Sequence, residues 1–144
     1  MNVPHISFKK LPIMTYMEET YYLYHRQIFG AIKELLSNKE ILDNCTCNFK
    51  PLYHESQRIY SEQYTEMWWE RVQESLPEDA KVSSIILYSD ATTCDHLGKT
   101  SKHPIYLTLD NIVSWCRNKP NAKVLLGYLL ILKVKSIPKK DLKA

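Results

Sequence analysis

The sequence predicts an α+β chain in which N-terminal helices are followed by a three-stranded antiparallel sheet. Before Asp79, over residues 18–37 and about 61–75, the apolar residues recur every three or four positions, the spacing that stacks one side of a helix. Beyond it the apolar residues fall in short runs rich in β-branched and aromatic side chains. The links between those runs suit turns or loops better than crossover helices, and consecutive strands joined this way are usually antiparallel neighbours.

Residues up to Pro12 show no period and read as an extended arm. Over residues 18–37, Tyr21, Tyr24, Ile28, Ile32 and Leu35 share one helical face, and Asn38 is a plausible stop. Residues 43–53 read as a connection, because Asn44, Asn48 and Pro51 interrupt helical and strand periods alike. A second helix is expected from Ser61 or Glu62 to Ser75. Tyr64, Trp68 and Val72 lie on one face of it, Trp69 and Leu76 lie beside them, and Pro77 limits its end. Strands are expected at residues 82–89, 103–109 and 124–134, with Gly98, Asn111, Asn118 and Pro120 in the links. This divides the chain into a helical region 1–79, a sheet region 80–135 and a basic tail 136–144. A sheet of only three strands would leave apolar side chains of residues 124–132 exposed.

A chain of 144 residues with 44% hydrophobic content suffices for one compact core, and its 24% of charged residues argues against disorder. The first twenty residues lack the apolar centre of a signal peptide, and the run at 124–132 is too short to span a bilayer. The expectation is a soluble intracellular protein, nuclear or cytoplasmic, without a membrane partner. Cys45, Cys47, Cys94 and Cys116 have neither C-x-x-C spacing nor the density of a disulfide scaffold, so free thiols are expected. The net charge of +3 is uneven: residues 1–116 carry 11 Lys/Arg against 15 Asp/Glu, and residues 117–144 carry 8 against 1. That basic end suits phosphate, or simply solubilises the terminus.

Several constellations admit a chemical and a plainer reading. Cys94, Asp95, His96 and His103 contain zinc-ligating types, but neighbours on one loop rarely converge on one centre. Cys45 and Cys47 with His54 form a similarly loose group. Trp68 and Trp69 would stack on unpaired bases or, at helical spacing with Tyr64 and Val72, supply at least one core residue. The basic turn from Arg117 to Pro120 suits a phosphate contact or a solvated turn.

The order of several segments resembles a known family. IYSEQYTEMWWERVQESLPEDAKV, SSIILYSDATT, HPIYLTLDNI, RNKP and LLGYLLILK follow one another between residues 59 and 133. Upstream stands HRQIFGAIKELLSNKEIL. Together they resemble the Plavaka group of transposases of fungal transposable elements, related to the CACTA and Kyakuja-Dileera-Zisupton elements among DDE transposases. The resemblance implies the first part of an RNase H-like core, in which three antiparallel strands precede the first core helix. It also implies a DNA partner, the transposon ends, in a chain able to form a homo-oligomer.

The resemblance places the family's motif aspartate at Asp90, after IILYS, as a catalytic residue and metal ligand for Mg²⁺ or Mn²⁺. It supports nucleic-acid contacts at Arg117 and Lys119 of the RNKP segment, and the basic charge of the end extends the candidates to Lys123, Lys133, Lys135, Lys139 and Lys140. The chain departs from the family pattern at Ala91, where a basic residue is usual, at Asp110-Asn111 in place of a Gly-Asn turn, and at Leu129-Leu130 where proline is usual. A DDE site also needs a second aspartate and a glutamate, and Asp141 lies in the tail without a strand or helix pattern around it. The expectation is a fragment or remnant of a cut-and-paste transposase, an N-terminal part or truncated copy, catalytically incomplete and without a stably held metal. The alternative is a domesticated protein-interaction module without DNA activity.

Overall fold

The structure is a computed structural model that describes residues 7–16, 18–93 and 101–129. It is mostly β, which corrects the expected order of N-terminal helices followed by a three-stranded sheet. Strands β1 (Lys9–Tyr16), β2 (Glu19–His25), β5 (Ile85–Ser89), β7 (Ser101–Leu109) and β8 (Val124–Leu129) form one antiparallel sheet in the order β1-β2-β8-β7-β5. The two-residue strand β6 (Thr92–Thr93) pairs with β7 beyond the end of β5. A separate hairpin joins β3 (Leu52–His54) to β4 (Gln57–Ile59).

The largest correction concerns the first helix. Residues 19–25 form β2, paired with β1 from Lys9↔His25 to Tyr16↔Glu19, and helix begins only at α1 (Ile28–Leu36). Tyr21 and Tyr24 fit a helical period by position, but Thr20 and the tyrosines of this run favour a pleated strand. Gln27 is extended, at φ −72° and ψ 132°, and it separates strand from helix. Asn38 ends α1 and also caps α2 (Lys39–Asp43), its side chain accepting from the Glu40 amide at 3.0 Å.

The second expected helix is divided. Gln63–Thr65 is a 3-10 turn, Glu66 is extended, and α3 runs Met67–Glu74. This break rotates the helix so that Trp69 is 0% exposed while Trp68 is 40% exposed. Trp69 packs with Tyr64 and Val82 in a small second core, edge to face with Tyr64 at 6.4 Å. The link after β7 is not merely a loop, since it contains α4 (Ser114–Arg117) and a 3-10 turn at Pro120–Ala122.

Antiparallel pairing unites the three segments that looked like strands after Asp79: β5 pairs with β7 from Ile85↔Leu109 to Ser89↔Ile105, and β7 pairs with β8. Residues 130–134 of the expected third strand lie outside the described residues. The main core forms on one side of the sheet, where Leu107, Leu109, Val124 and Leu126 meet Ala31 and Leu35 of α1, Ile41 of α2 and Cys116 of α4. Burial of each large aliphatic side chain there contributes about 1.5–3 kcal/mol. Val124 and Leu126 are therefore buried, contrary to the expected exposure of that run, although Tyr128 and Leu129 are exposed. Exposed apolar groups lie instead on β1 (Leu11, Ile13 and Met14) and on the outer strand β5 (Ile85 and Leu87).

The β1–β2 hairpin meets the rest of the sheet narrowly, through the pair His25↔Gly127 and the Arg26 amide donating to the Leu126 carbonyl at 2.7 Å. The approach requires glycine: a Cβ on Gly127 would lie 2.6 Å from the Tyr24 carbonyl oxygen.

Candidate active site and nucleic-acid interface

Asp90 follows the last residue of β5 and is exposed. The pairs Ser89↔Ile105 and Thr92↔Lys102 belong to one unbroken register on β7, so Asp90 falls opposite Pro104 and Ala91 opposite His103. Proline has no N–H to give to a neighbouring strand. The ladder accordingly opens at Asp90-Ala91 between β5 and β6. Strand alternation sets Asp90 on the same side of the sheet as Ile86 and Tyr88, away from α1.

One exposed carboxylate does not fit a held Mg²⁺ or Mn²⁺, which needs further oxygen ligands and charge compensation. Among the described residues, no three His, Cys, Asp or Glu side chains are grouped closely enough to hold a metal ion. Cys94, Asp95 and His96 lie outside the described residues. His103 is in β7, paired with Leu129, and the exposed His54 is at the end of β3.

The basic turn is built differently from a free phosphate loop. Arg117, at the end of α4, pairs with the Asp110 carboxylate and donates to the carbonyls of Asp110 and Ile112, each at 3.1 Å. It also reaches Glu62 at 3.3 Å and the Ser114 hydroxyl at 3.0 Å. Glu62 in turn accepts from the Ser114 amide at 2.8 Å, which fixes the start of α4. Burial pushes the Asp110 carboxyl above its ordinary range, Arg117 pulls it down, and Glu62 adds to the upward push.

Lys119 pairs with Glu40 of α2 and lies 4.7 Å from the Trp115 ring centroid. The hydrogen bond from Lys119 holds the Glu40 carboxyl below its ordinary range. Lys123 lies 5.6 Å from the Tyr88 ring centroid. Lys133, Lys135, Lys139 and Lys140 are outside the described residues. Arg117 and Lys119 thus hold separate partners, apart from Asp90. Asp90 follows the Ser89↔Ile105 end of the β5–β7 ladder and Arg117 holds the Asp110 end, roughly 17 Å away at strand rise.

Asn111 was legible only as a turn residue, yet it is buried and ties three segments together. Its side-chain oxygen accepts from the Ser84 amide at 2.9 Å, and its amide group donates to the carbonyls of Thr46 at 3.0 Å and Val82 at 2.8 Å. Such a residue gives no local signal, because its partners come from distant segments. The free thiols Cys45 and Cys47 adjoin it, with Asn111 Nδ2 3.8 Å from Cys47 Sγ, and Cys116 is a free thiol in the core.

An antiparallel sheet with helices packed on one side and, among the described residues, Asp90 exposed on the other defines the class, a mainly β domain. The family described as Plavaka transposase matches residues 5–144, and the chain belongs to that family. No curated protein and no solved structure matches it. No helix among the described residues is long and apolar enough to cross a membrane.

Proposed function

We propose that this chain takes part in the DNA handling of a cut-and-paste transposase, with Asp90 at the place of one metal-binding carboxylate and with transposon DNA as partner. The match to the Plavaka transposase family over residues 5–144 carries this reading. Asp90 supports it by position: the carboxylate is exposed and its backbone is released from the ladder opposite Pro104. Family membership suggests general dependence on a divalent metal, and in this reading Asp90 supplies one carboxylate of a site that needs further ligands. Backbone phosphate contacts fall to Lys119, Lys123 and the tail lysines Lys133, Lys135, Lys139 and Lys140, with Arg117 fixing the turn that carries Lys119. The reading places its work in the nucleus.

The test is plasmid cleavage with Mg²⁺ or Mn²⁺ by the wild type and by Asp90→Ala. Neither should nick or join DNA. Metal-dependent cutting by the wild type that disappears in Asp90→Ala would show instead that the site is completed. Duplex binding should fall steeply with salt, and replacing the four tail lysines by glutamine should weaken it equally on all sequences.

A further inference from the structure

The side of the sheet opposite α1 has a composition of its own. Register and alternation set Tyr88 of β5, Tyr106 of β7, Tyr128 of β8, and Tyr22 and Tyr24 of β2 on this one face. Tyr88 and Tyr106 are stacked, their centroids 5.3 Å apart and their planes 21° from parallel. Tyr24 and Tyr128 are exposed, and the other three are half-buried.

Lysines stand over these rings. Lys10 lies 3.8 Å from the Tyr22 centroid and 5.9 Å from that of Tyr24. Lys102 lies 5.6 Å from Tyr128, and Lys123 lies 5.6 Å from Tyr88. The carboxylates of this face stand at its two ends: Asp90 is exposed, and the buried Asp110 shares Arg117 with Glu62. At a strand spacing of about 4.8 Å the tyrosines extend roughly 14 Å across four strands, room for about two or three nucleotides.

We propose that this open face is a stacking platform for single-stranded nucleic acid, its tyrosines receiving unpaired bases and Lys10, Lys102 and Lys123 receiving the phosphates between them. The combination selects the ligand. A π-face binds any base, a lysine binds any phosphate, and only an unpaired strand offers both together along its length. A duplex hides its base faces, and protein interfaces are depleted of lysine. The proposal rests on the transposase reading for its choice of nucleic acid, and it adds a strand path that ends beside Asp90.

The full chain is titrated, by fluorescence anisotropy, against labelled oligothymidylate of about 15 nucleotides and against a duplex of the same length. The unpaired strand should bind about tenfold more tightly. The double variant Tyr24→Ala/Tyr128→Ala should lose about tenfold or more of that affinity, with an unchanged melting temperature, because both side chains are exposed. The double variant Tyr24→Phe/Tyr128→Phe should retain it, since stacking uses the ring and not the hydroxyl.

A parallel titration with oligouridylate separates DNA from RNA, and tighter binding of either strand than of duplex supports the platform. Equal affinity for strand and duplex, or strand affinity lost only with the tail lysines and indifferent to the tyrosines, would overturn it while leaving the transposase reading intact. No salt-sensitive duplex binding by the wild type, with strand binding that depends on the tyrosines, would do the reverse. Self-association abolished by the tyrosine substitutions, without strand binding, would make the face an interface between copies and overturn the proposal.

Discussion

Pro104 occupies the rung opposite Asp90 in an otherwise continuous register, and the β5–β7 ladder opens there. Proline in an inner strand removes one donor, and the neighbouring strand is released at that point. Replacing it with valine restores an N–H and suits a pleated position. In Pro104→Val, amide exchange at Asp90 should slow by about tenfold as the ladder closes over it. Unchanged exchange would mean that something other than the missing donor holds the ladder open.

Asn111→Ala should cost about 3 kcal/mol in urea unfolding, because it leaves a buried amide and two buried carbonyls without partners. Asn111→Asp should be at least as damaging, since a carboxylate cannot donate to the carbonyls of Thr46 and Val82. A loss below about 1 kcal/mol in both would show that water replaces these bonds.

The β3–β4 hairpin turns through Glu55 at φ 46° and Ser56 at φ 66°, a left-handed pair that Asn-Gly adopts far more readily. The double substitution Glu55→Asn/Ser56→Gly should therefore stabilise the protein by about 1 kcal/mol, seen as a higher urea midpoint with unchanged slope.

The Cys45 thiol is pushed up from 9.0 to about 12, first by burial and then by the neighbouring Cys47. A raised thiol pKa means that folding favours the protonated form. The associated stability is fully present below the ordinary value and is lost as the pH climbs toward the raised one. At pH 8 iodoacetamide should alkylate Cys45 about tenfold or more slowly than an unfolded cysteine, as read by peptide mass spectrometry. Equal rates in native and denaturing buffer would refute the shift.

What was legible in the sequence is local. Runs such as IILYS and the alternation before Leu109 identify β5 and β7 without reference to the rest of the chain, and the order of short motifs identifies the family. What was illegible depends on distant partners. Lys9, Lys10 and Pro12 make β1 look like an arm, and only pairing with β2 makes it a strand. Trp68 and Trp69 were distinguishable only once Glu66 broke the helix and fixed its phase. The position of Asp90 was readable, but its opposition to Pro104 required the register. Arg117 looked like a surface cation because Glu62, one of its partners, lies 55 residues away in sequence.

The narrow junction of the β1–β2 hairpin with β8 bears on the order of folding. Strands β5, β7 and β8 are near neighbours along the chain and close short loops, whereas the Arg26 side chain donates to the Leu125 carbonyl across a separation of 99 residues. The entropy of closing so long a loop is recovered only when the rest of the core is already in place to receive it. The hairpin holds to the core more narrowly than α1, whose Ala31 and Leu35 close the same long loop, so the chain from Lys9 to His25 should detach first and be cut by a protease before the core unfolds.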